Sequence, residues 1–250
     1  MMQAESSFLP ERMSRFVAGW LLASIVPALP LIVIWTQTVL LLGSSANERR
    51  AGLLAFSGIV LFLLLFAVGN WLFMRHRGTQ PIAWGAMTII GAAFGLVVAG
   101  VVVVLGPPLM SNWYFVTADD LIDSPLPPAQ MTELLVAVGA GIVFGFGLSL
   151  FQAIALPFSM LARLSWLVVS ISAVTFAFVA AFLLDLGYDD FLDLIAVRVP
   201  SAGLWFWSPR IAVEVVIAIL IYALPTGVVL RWLLRCGRRR GRDALADRFD

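Results

Sequence analysis

The sequence contains no lysine, a single cysteine (Cys236) and a single histidine (His76), and only 12% of its residues are charged. One cysteine excludes an internal disulfide. One Cys and one His are too few for a protein zinc site. The sequence also lacks the Gly-x-Ser-x-Gly, HExxH and P-loop motifs of common enzyme classes. We therefore predict a non-enzymatic protein with no cofactor, no bound metal and no nucleic-acid partner.

Apolar residues, in contrast, make up 61% of the chain and give a mean hydropathy of +0.99. Six apolar stretches are each long enough to cross the roughly 30 Å hydrocarbon core of a bilayer as a helix. They are Phe16–Leu42, Ala51–Met74, Ile82–Leu105, Leu134–Phe158, Leu164–Leu184 and Ile211–Leu234. The sequence therefore predicts an all-α membrane helix bundle of six spans over residues 1–235, followed by a basic cytoplasmic tail over residues 236–250.

The arginines indicate how the chain is oriented. All 16 basic residues are Arg, which is typical of a GC-rich genome and favours a bacterial source. Six spans place both termini on one side of the membrane, and 12 of the 16 arginines fall on that side. The positive-inside rule then predicts a multi-pass protein of the bacterial plasma (inner) membrane with cytoplasmic N- and C-termini.

An internal repeat is indicated when spans two and three are aligned with spans four and five at an offset of 82 residues. Asn70 then matches Gln152, and Trp84 matches Trp166. In both hairpins the amide precedes the tryptophan by 14 residues. Thr226 in the sixth span would take the amide's place in a third copy completed by the first span. This pattern predicts parallel two-helix hairpin repeats about an axis normal to the membrane.

Part of the sequence resembles a group of uncharacterised bacterial multi-pass membrane proteins. The shared features are a Gly-rich helix ending in Gln (Gly141–Gln152), a basic turn, and an Arg/Trp-led helix (Arg163–Ser170). The last helix ends similarly, with Thr226-Gly227 and the run Leu233-Leu234-Arg235. The resemblance implies a six-span helical architecture and implies no particular activity.

Four candidate polar sites lie within the spans: Asn70, Gln152, Glu214 and Thr226. The two amides would either line a solute path or form interhelical hydrogen bonds, because an amide in hydrocarbon needs partners. Glu214 would be a proton or cation site. Alternatively, it stabilises the start of the sixth span and pairs with Arg210, four residues earlier.

Small residues and prolines also mark the spans. Gly91 and Gly95, and likewise Gly141 and Gly145, are spaced to share one helical face and predict close helix packing. Three prolines lie inside predicted spans, where each removes a backbone donor and is expected to kink the helix. They are Pro27, Pro30 and Pro225.

Two acidic clusters with the pattern Asp-Asp-x-x-Asp follow the third and fifth spans on the predicted outer side. They consist of Asp119, Asp120 and Asp123, and of Asp189, Asp190 and Asp193. Their carboxylates could bind a divalent cation. The alternative is a short interfacial helix in each cluster, with acids toward water and apolar residues toward lipid.

The tail carries a basic cluster, Arg238, Arg239 and Arg240, which would contact anionic lipid headgroups at the cytoplasmic face or fix the topology. From these features we predict a permease-like small-solute transporter or an accessory subunit of a membrane complex. Its expected partners are the lipid bilayer and other membrane subunits. The alternative function is an outer-leaflet enzyme or metal-binding protein that uses the acidic clusters.

Overall fold

The computed structural model describes the backbone of residues 3–42, 48–75, 80–117, 128–156, 158–196 and 204–246, and the side chains within the spans. These residues form seven α-helices and no strand. The helices are α1 (Gln3–Ile25), α2 (Ala28–Leu42), α3 (Glu48–Arg75), α4 (Pro81–Thr117), α5 (Pro128–Ala155), α6 (Met160–Ala196) and α7 (Leu204–Ala246). The predicted all-α class is confirmed.

Six helical segments are long and apolar enough to cross a membrane, as the sequence predicts. They are Met13–Thr38, Arg50–Arg75, Pro81–Gly106, Gln130–Ala155, Met160–Asp185 and Arg210–Cys236. No end differs from the predicted span by more than four residues. We refer to the side of the membrane at which α1 begins and α7 ends as the terminal side, and to the opposite side as the far side.

The outer surface of the helices is apolar, as contact with lipid requires. Large side chains such as Val97, Phe176 and Trp232 are 67%, 66% and 56% exposed, and they belong to three different spans. A soluble monomer rarely exposes apolar patches on this scale, because water makes them unfavourable. The protein is therefore an integral membrane protein in contact with a bilayer.

The first span is broken at Val26 and Pro27, which separate α1 from α2. Proline has no amide hydrogen, and its ring clashes with the carbonyl of the preceding turn. Pro30 lies in the first turn of α2, where a missing donor costs nothing. The Pro225 backbone, in contrast, lies within the unbroken helix α7. The prolines therefore interrupt one span.

The spans pack as a closed ring in chain order. Each span contacts the next along the chain, from α1 and α2 through α3, α4, α5 and α6 to α7, and α7 contacts α1 and α2. Aromatic side chains also meet inside the ring, where Phe66 of α3 and Tyr222 of α7 have ring centroids 6.0 Å apart. The ring thus encloses an interior shared by all six spans.

Glycines set the closest approaches between neighbouring helices. A Cβ atom on Gly91 would lie 2.8 Å from the Gly147 carbonyl oxygen, and one on Gly95 would lie 2.8 Å from that of Phe144. Gly141 and Gly145 meet the backbone of α6 in the same way, with such a Cβ 2.9 Å from Thr175 Cα and 3.1 Å from Ile171 Cα. The two predicted packing faces therefore join α4 to α5 and α5 to α6.

Helices α6 and α7 continue beyond their spans. Asp189, Asp190 and Asp193 lie in the last turns of α6, which runs without a break to Ala196, so this cluster does not form a separate interfacial helix. The cluster at residues 119–123 lies outside the described residues. Helix α7 continues into the predicted basic tail as far as Ala246, so the backbone of Arg238–Arg240 is helical.

Candidate functional site

A layer of buried polar side chains crosses the interior of the ring, with one residue from each of the six spans. All six are fully buried: Ser24, Asn70, Thr88, Gln152, Ser170 and Thr226. We call this set the polar layer. It contains three of the four predicted intramembrane sites, and none of its members is ionisable.

Two side-chain hydrogen bonds join different spans at this level. Gln152 Nε2 donates to Thr88 Oγ1 over 3.1 Å, and Trp20 Nε1 donates to Thr226 Oγ1 over 3.2 Å. The Asn70 amide instead donates to the Phe66 carbonyl of its own helix over 2.7 Å. The two predicted amides thus differ in role, because Gln152 joins two helices and the Asn70 hydrogen bond stays within one.

Three buried tryptophans form a second layer on the terminal side of the polar layer. Trp20, Trp84 and Trp166 are at most 1% exposed, and each precedes a polar-layer hydroxyl by one helical turn. The rings of Trp84 and Trp166 pack edge to face, with centroids 5.5 Å apart. Gly227 makes room for Trp20, since a Cβ there would lie 2.7 Å from Trp20 Cδ1. We call these three residues the tryptophan layer.

An apolar cavity of about 280 Å³ lies on the far side of the polar layer, lined by α3, α4, α5, α6 and α7. Five lining residues each sit one helical turn from a polar-layer residue of the same span. They are Phe66, Ala92, Leu148, Val174 and Tyr222. Four residues of helix rise by ~6 Å. The cavity and the polar layer are therefore adjacent levels of one interior.

Several buried polar atoms in the polar layer and on either side of it have no hydrogen-bond partner within the protein. They are Asn70 Oδ1, Gln152 Oε1, Ser170 Oγ, the Tyr222 hydroxyl, and the indole nitrogens of Trp84 and Trp166. The Tyr222 hydroxyl faces Ser170 and Gln152 without meeting hydrogen-bond geometry with either. Buried polar groups are usually paired, so these atoms are exceptions within the interior.

Glu214 lies apart from these layers, near the far-side end of α7. Arg210 Nε donates to its carboxylate over 2.9 Å, and Arg210 also forms an ion pair with Asp185 of α6. The Glu214–Arg210 pair is the one predicted from their spacing. The contact with Asp185 adds a link between α6 and α7.

The remaining predicted sites lie outside the described side chains, namely the two acidic clusters and Arg238–Arg240. Among the described residues, no three His, Cys, Asp or Glu side chains approach one another closely enough to hold a metal ion.

Four buried residues of this interior were not predicted from the sequence: Ser24, Thr88, Ser170 and Tyr222. A usable signal was present, because Trp-x-x-x-Ser/Thr occurs near the start of the first, third and fifth spans. These occurrences are Trp20 with Ser24, Trp84 with Thr88, and Trp166 with Ser170. Tyr222 carried no such signal, because only the three-dimensional arrangement places its hydroxyl beside Ser170 and Gln152.

The fold and the layered interior define a class, a six-span helical membrane protein with an internal apolar cavity. Comparison with known protein families, with curated proteins and with solved structures finds no match. The resemblance to uncharacterised bacterial multi-pass proteins therefore stays an expectation.

Proposed function

We propose that this membrane protein is a non-enzymatic binding protein for a small lipophilic molecule held in the cavity inside its helix ring. The observation that carries the proposal is the cavity itself, which five of the six spans line with side chains such as Phe62, Phe144 and Phe178. Ligand sites are typically concave, mostly apolar and furnished with a few polar groups. The described lining matches the apolar part of this description.

This lining bears on the two functions that the sequence predicts. A permease for a hydrophilic solute needs polar or charged groups along its path, and the described lining is apolar apart from Tyr222. The tryptophan layer also separates the cavity from the terminal side. An accessory membrane subunit that holds a lipophilic molecule fits this interior better.

A permease-like carrier remains the second candidate, and the break in the first span at Pro27 favours it. Discontinuous helices are a recurring feature of transporters, where they absorb conformational change. Such a carrier would release its lipophilic ligand by separating α1 and α2 from α3 and α7, the helices they contact.

The expected subunit partner would not be held by the glycine faces. Gly91, Gly95, Gly141 and Gly145 all face neighbouring helices of this chain. Within the described spans, the glycines with open space at their Cβ position are Gly52 and Gly100, which belong to different helices. A partner would therefore contact larger side chains. The bacterial inner membrane, cytoplasmic termini and anionic lipid at Arg238–Arg240 belong to the same proposal and rest on the charge distribution.

A matched pair of variants in α4 tests the proposal. Ala92 lines the cavity and is 1% exposed, whereas its neighbour Ala93 faces the surrounding lipid. Naphthalene should raise the melting temperature of the purified wild-type protein and of Ala93→Leu. It should not raise that of Ala92→Leu, because the added isobutyl group fills the cavity. An equal shift in all three proteins would contradict binding in the cavity.

A second measurement separates the two candidates. Purification in mild detergent should recover a membrane partner in fixed stoichiometry if the protein is an accessory subunit. Exchange of a fluorescent lipophile between vesicles that is accelerated by the reconstituted protein alone would instead support the carrier.

A further inference from the structure

The break in the first span leaves a groove on the outer surface of the helix ring, between α1 and α2 on one side and α3 on the other. Its volume is about 610 Å³, and the described residues that line it are all apolar. The walls are open to the surroundings, since Leu22 is 61% exposed and Val68 is 47% exposed. In an integral membrane protein, the surroundings at this depth are the hydrocarbon chains of the bilayer.

Backbone positions set the bottom of the groove. Gly69 brings α3 against the first span, because a Cβ atom there would lie 2.6 Å from the Ala23 carbonyl oxygen. Four residues after Ala23, Pro27 has no amide hydrogen to donate to that carbonyl, and the first span breaks at this point. Gly19 lines the same surface one turn before Ala23 and adds no side chain to fill it. The two helices therefore touch at small residues and leave the space above them open.

The groove matches the depth of one leaflet. Its α3 wall runs from Leu65 to Phe73, and its α1 wall runs from Gly19 to the break at Pro27. Each wall rises by ~12 Å along its helix. Half of the hydrocarbon core is about 15 Å thick. Because Pro27 lies near the middle of the span Met13–Thr38, the groove faces the leaflet on the terminal side.

Both walls lead to an arginine at the terminal-side end of the groove. Arg15 precedes Gly19 by four residues, and Arg75 follows Leu72 by three. Residues three or four apart share one face of a helix, so each arginine extends the face that lines the groove. Both arginines are exposed. The groove therefore has an apolar length and a positively charged end.

Packing between α1 and α3 holds these two positions at one level. Phe16, next to Arg15, packs edge to face on Phe73, two residues before Arg75, with ring centroids 5.0 Å apart. The Arg75 guanidinium lies 5.7 Å from the centroid of the Trp71 ring, one turn back toward the groove. This cation–π contact places the charge at the depth of an interfacial tryptophan.

We infer that the groove binds one anionic phospholipid of the terminal-side leaflet, with an acyl chain along the groove and the headgroup phosphate at Arg15 and Arg75. The apolar lining matches the chain in character and length. A guanidinium binds phosphate through paired charge-assisted hydrogen bonds, and arginines next to a membrane attract anionic headgroups. This site is separate from the cavity inside the ring and from Arg238–Arg240, and it does not depend on the proposed function.

Native mass spectrometry tests the headgroup. The purified protein in mild detergent is mixed with equal amounts of dioleoyl phosphatidylglycerol and dioleoyl phosphatidylcholine, which share their chains and differ in net charge. The wild type should retain one phosphatidylglycerol molecule in preference. Arg15→Gln and Arg75→Gln should each weaken the preference about fivefold, and the double variant roughly 25-fold, the usual effect of one and two arginines near a membrane surface. Arg50→Gln, the same change at the far-side end of α3, is the control and should leave the preference unchanged.

A second pair of variants tests the acyl chain. Val68→Phe places a larger side chain in the groove, whereas Val97→Phe makes the same change at an exposed position of α4 outside it. Val68→Phe should abolish retention of phosphatidylglycerol, and Val97→Phe should not. Because both valines are about half exposed or more, neither variant should change the melting temperature without added lipid. A large excess of glycerol 3-phosphate, which has the headgroup phosphate and no acyl chain, should not displace the lipid.

Several outcomes would overturn the inference. Weaker binding in the arginine variants with full retention in Val68→Phe would show attraction of the headgroup alone, and displacement by glycerol 3-phosphate would show a free phosphate site. Equal effects of Arg50→Gln and Arg75→Gln would reduce the preference to overall charge. A dimer that dissociates in Val68→Phe would assign the groove to a second copy of the chain. If Arg15→Gln lowers stability, the comparison of Arg75→Gln with Arg50→Gln decides the result by itself.

Discussion

At the scale of single residues, the interior shows how this chain satisfies polar groups without water. The hydroxyls of Ser24, Thr88 and Thr226 donate to the carbonyl one turn earlier in their own helices, over 2.7–2.9 Å. That bond makes a hydroxyl inexpensive in a membrane helix. An amide has both donors and an acceptor, and Asn70 and Gln152 each leave their oxygen unpartnered. The two amide oxygens and the Ser170 hydroxyl therefore carry the energetic cost of the polar layer.

Replacing Gln152 with Leu should lower the free energy of unfolding by only ~0.5–2 kcal/mol. The substitution loses the bond from Nε2 to Thr88, but it also removes an oxygen with no partner, which places the cost at the lower end of that range. The measurement is equilibrium unfolding in mixed micelles. In a double-mutant cycle with Thr88→Val, the two substitutions should be coupled by about 0.6 kcal/mol. Strict additivity would show that the two side chains do not interact.

Half of the polar layer could be predicted from the sequence. Asn70 and Gln152 are conspicuous because amides are rare in apolar stretches, and Thr226 followed from its alignment with them. Ser24, Thr88 and Ser170 were missed, because hydroxyl residues are common in membrane helices and composition does not distinguish a buried one from one that faces lipid. The position of Tyr222 in the interior could not be predicted either, because it depends on the rotation of α7 relative to α5 and α6.

At the scale of helices, backbone proximity depends on where the glycines point. Two glycines of α4 that are five residues apart show the difference between a packed and an open position. Gly95 lies against the backbone of α5, whereas Gly100 has no neighbouring atom within 4 Å of its Cβ position. Between helices in lipid, packing supplies much of the association energy, because the apolar effect that operates in water is absent.

Gly95→Ala should therefore lower the free energy of unfolding by ~1–3 kcal/mol, as expected for an overpacked contact. Its new methyl group would lie 2.8 Å from the Phe144 carbonyl oxygen and 3.1 Å from Phe144 Cα, and backbone atoms cannot move aside as a side chain can. Gly100→Ala in the same helix is the control. It should leave stability unchanged or raise it by up to about 1 kcal/mol, because Ala favours helix more than Gly does. Equal effects of the two substitutions, measured by thermal unfolding, would contradict the close packing of α4 on α5.

Hydropathy predicted the number and extent of the spans but not which proline would interrupt one. The first span divides at Pro27, whereas α7 continues through Pro225. Each of these prolines removes one backbone donor, so the sequence alone does not distinguish the two positions. The ion pair of Arg210 with Asp185 depends on how α6 and α7 pack, which no local pattern shows.

At the scale of the whole molecule, the orientation in the membrane rests on the distribution of arginine. The test introduces single cysteines at Ser45, Ser124 and Ser201 in a Cys236→Ser background. An impermeant thiol reagent should label each of them in intact cells, and it should not label Cys236 in the otherwise native chain. Cys236 is exposed at the protein surface, so its protection would reflect the side of the membrane and not burial. Labelling of Cys236 in intact cells would reverse the predicted orientation.

The ring also gives the repeat hypothesis a physical meaning. If spans two and three, four and five, and six and one are three copies of one hairpin, the native termini interrupt the third copy between the sixth span and the first. In the other two copies, the two helices of the hairpin are joined by an unbroken chain. The contact of α7 with α1, which includes the Trp20–Thr226 hydrogen bond, would be the equivalent contact in the third copy. Moving the chain break to the matching place in another copy should preserve the fold.

A circular permutant that joins Asp250 directly to Met1 and begins at Gly78 makes this move. It keeps all six spans and their orientations, and transfers the break from the third copy to the first. Because loop-closure entropy changes slowly with loop length, by ~0.6 kcal/mol for each doubling, the permutant should unfold within about 1–2 kcal/mol of the native chain. It should also retain the naphthalene-induced rise in melting temperature. Co-expressed fragments 1–77 and 78–250 carry the same break without the new connection and serve as the control. Assembly of the fragments without folding of the permutant would show that α7 and α1 do not meet as chain neighbours do, and would contradict the third copy.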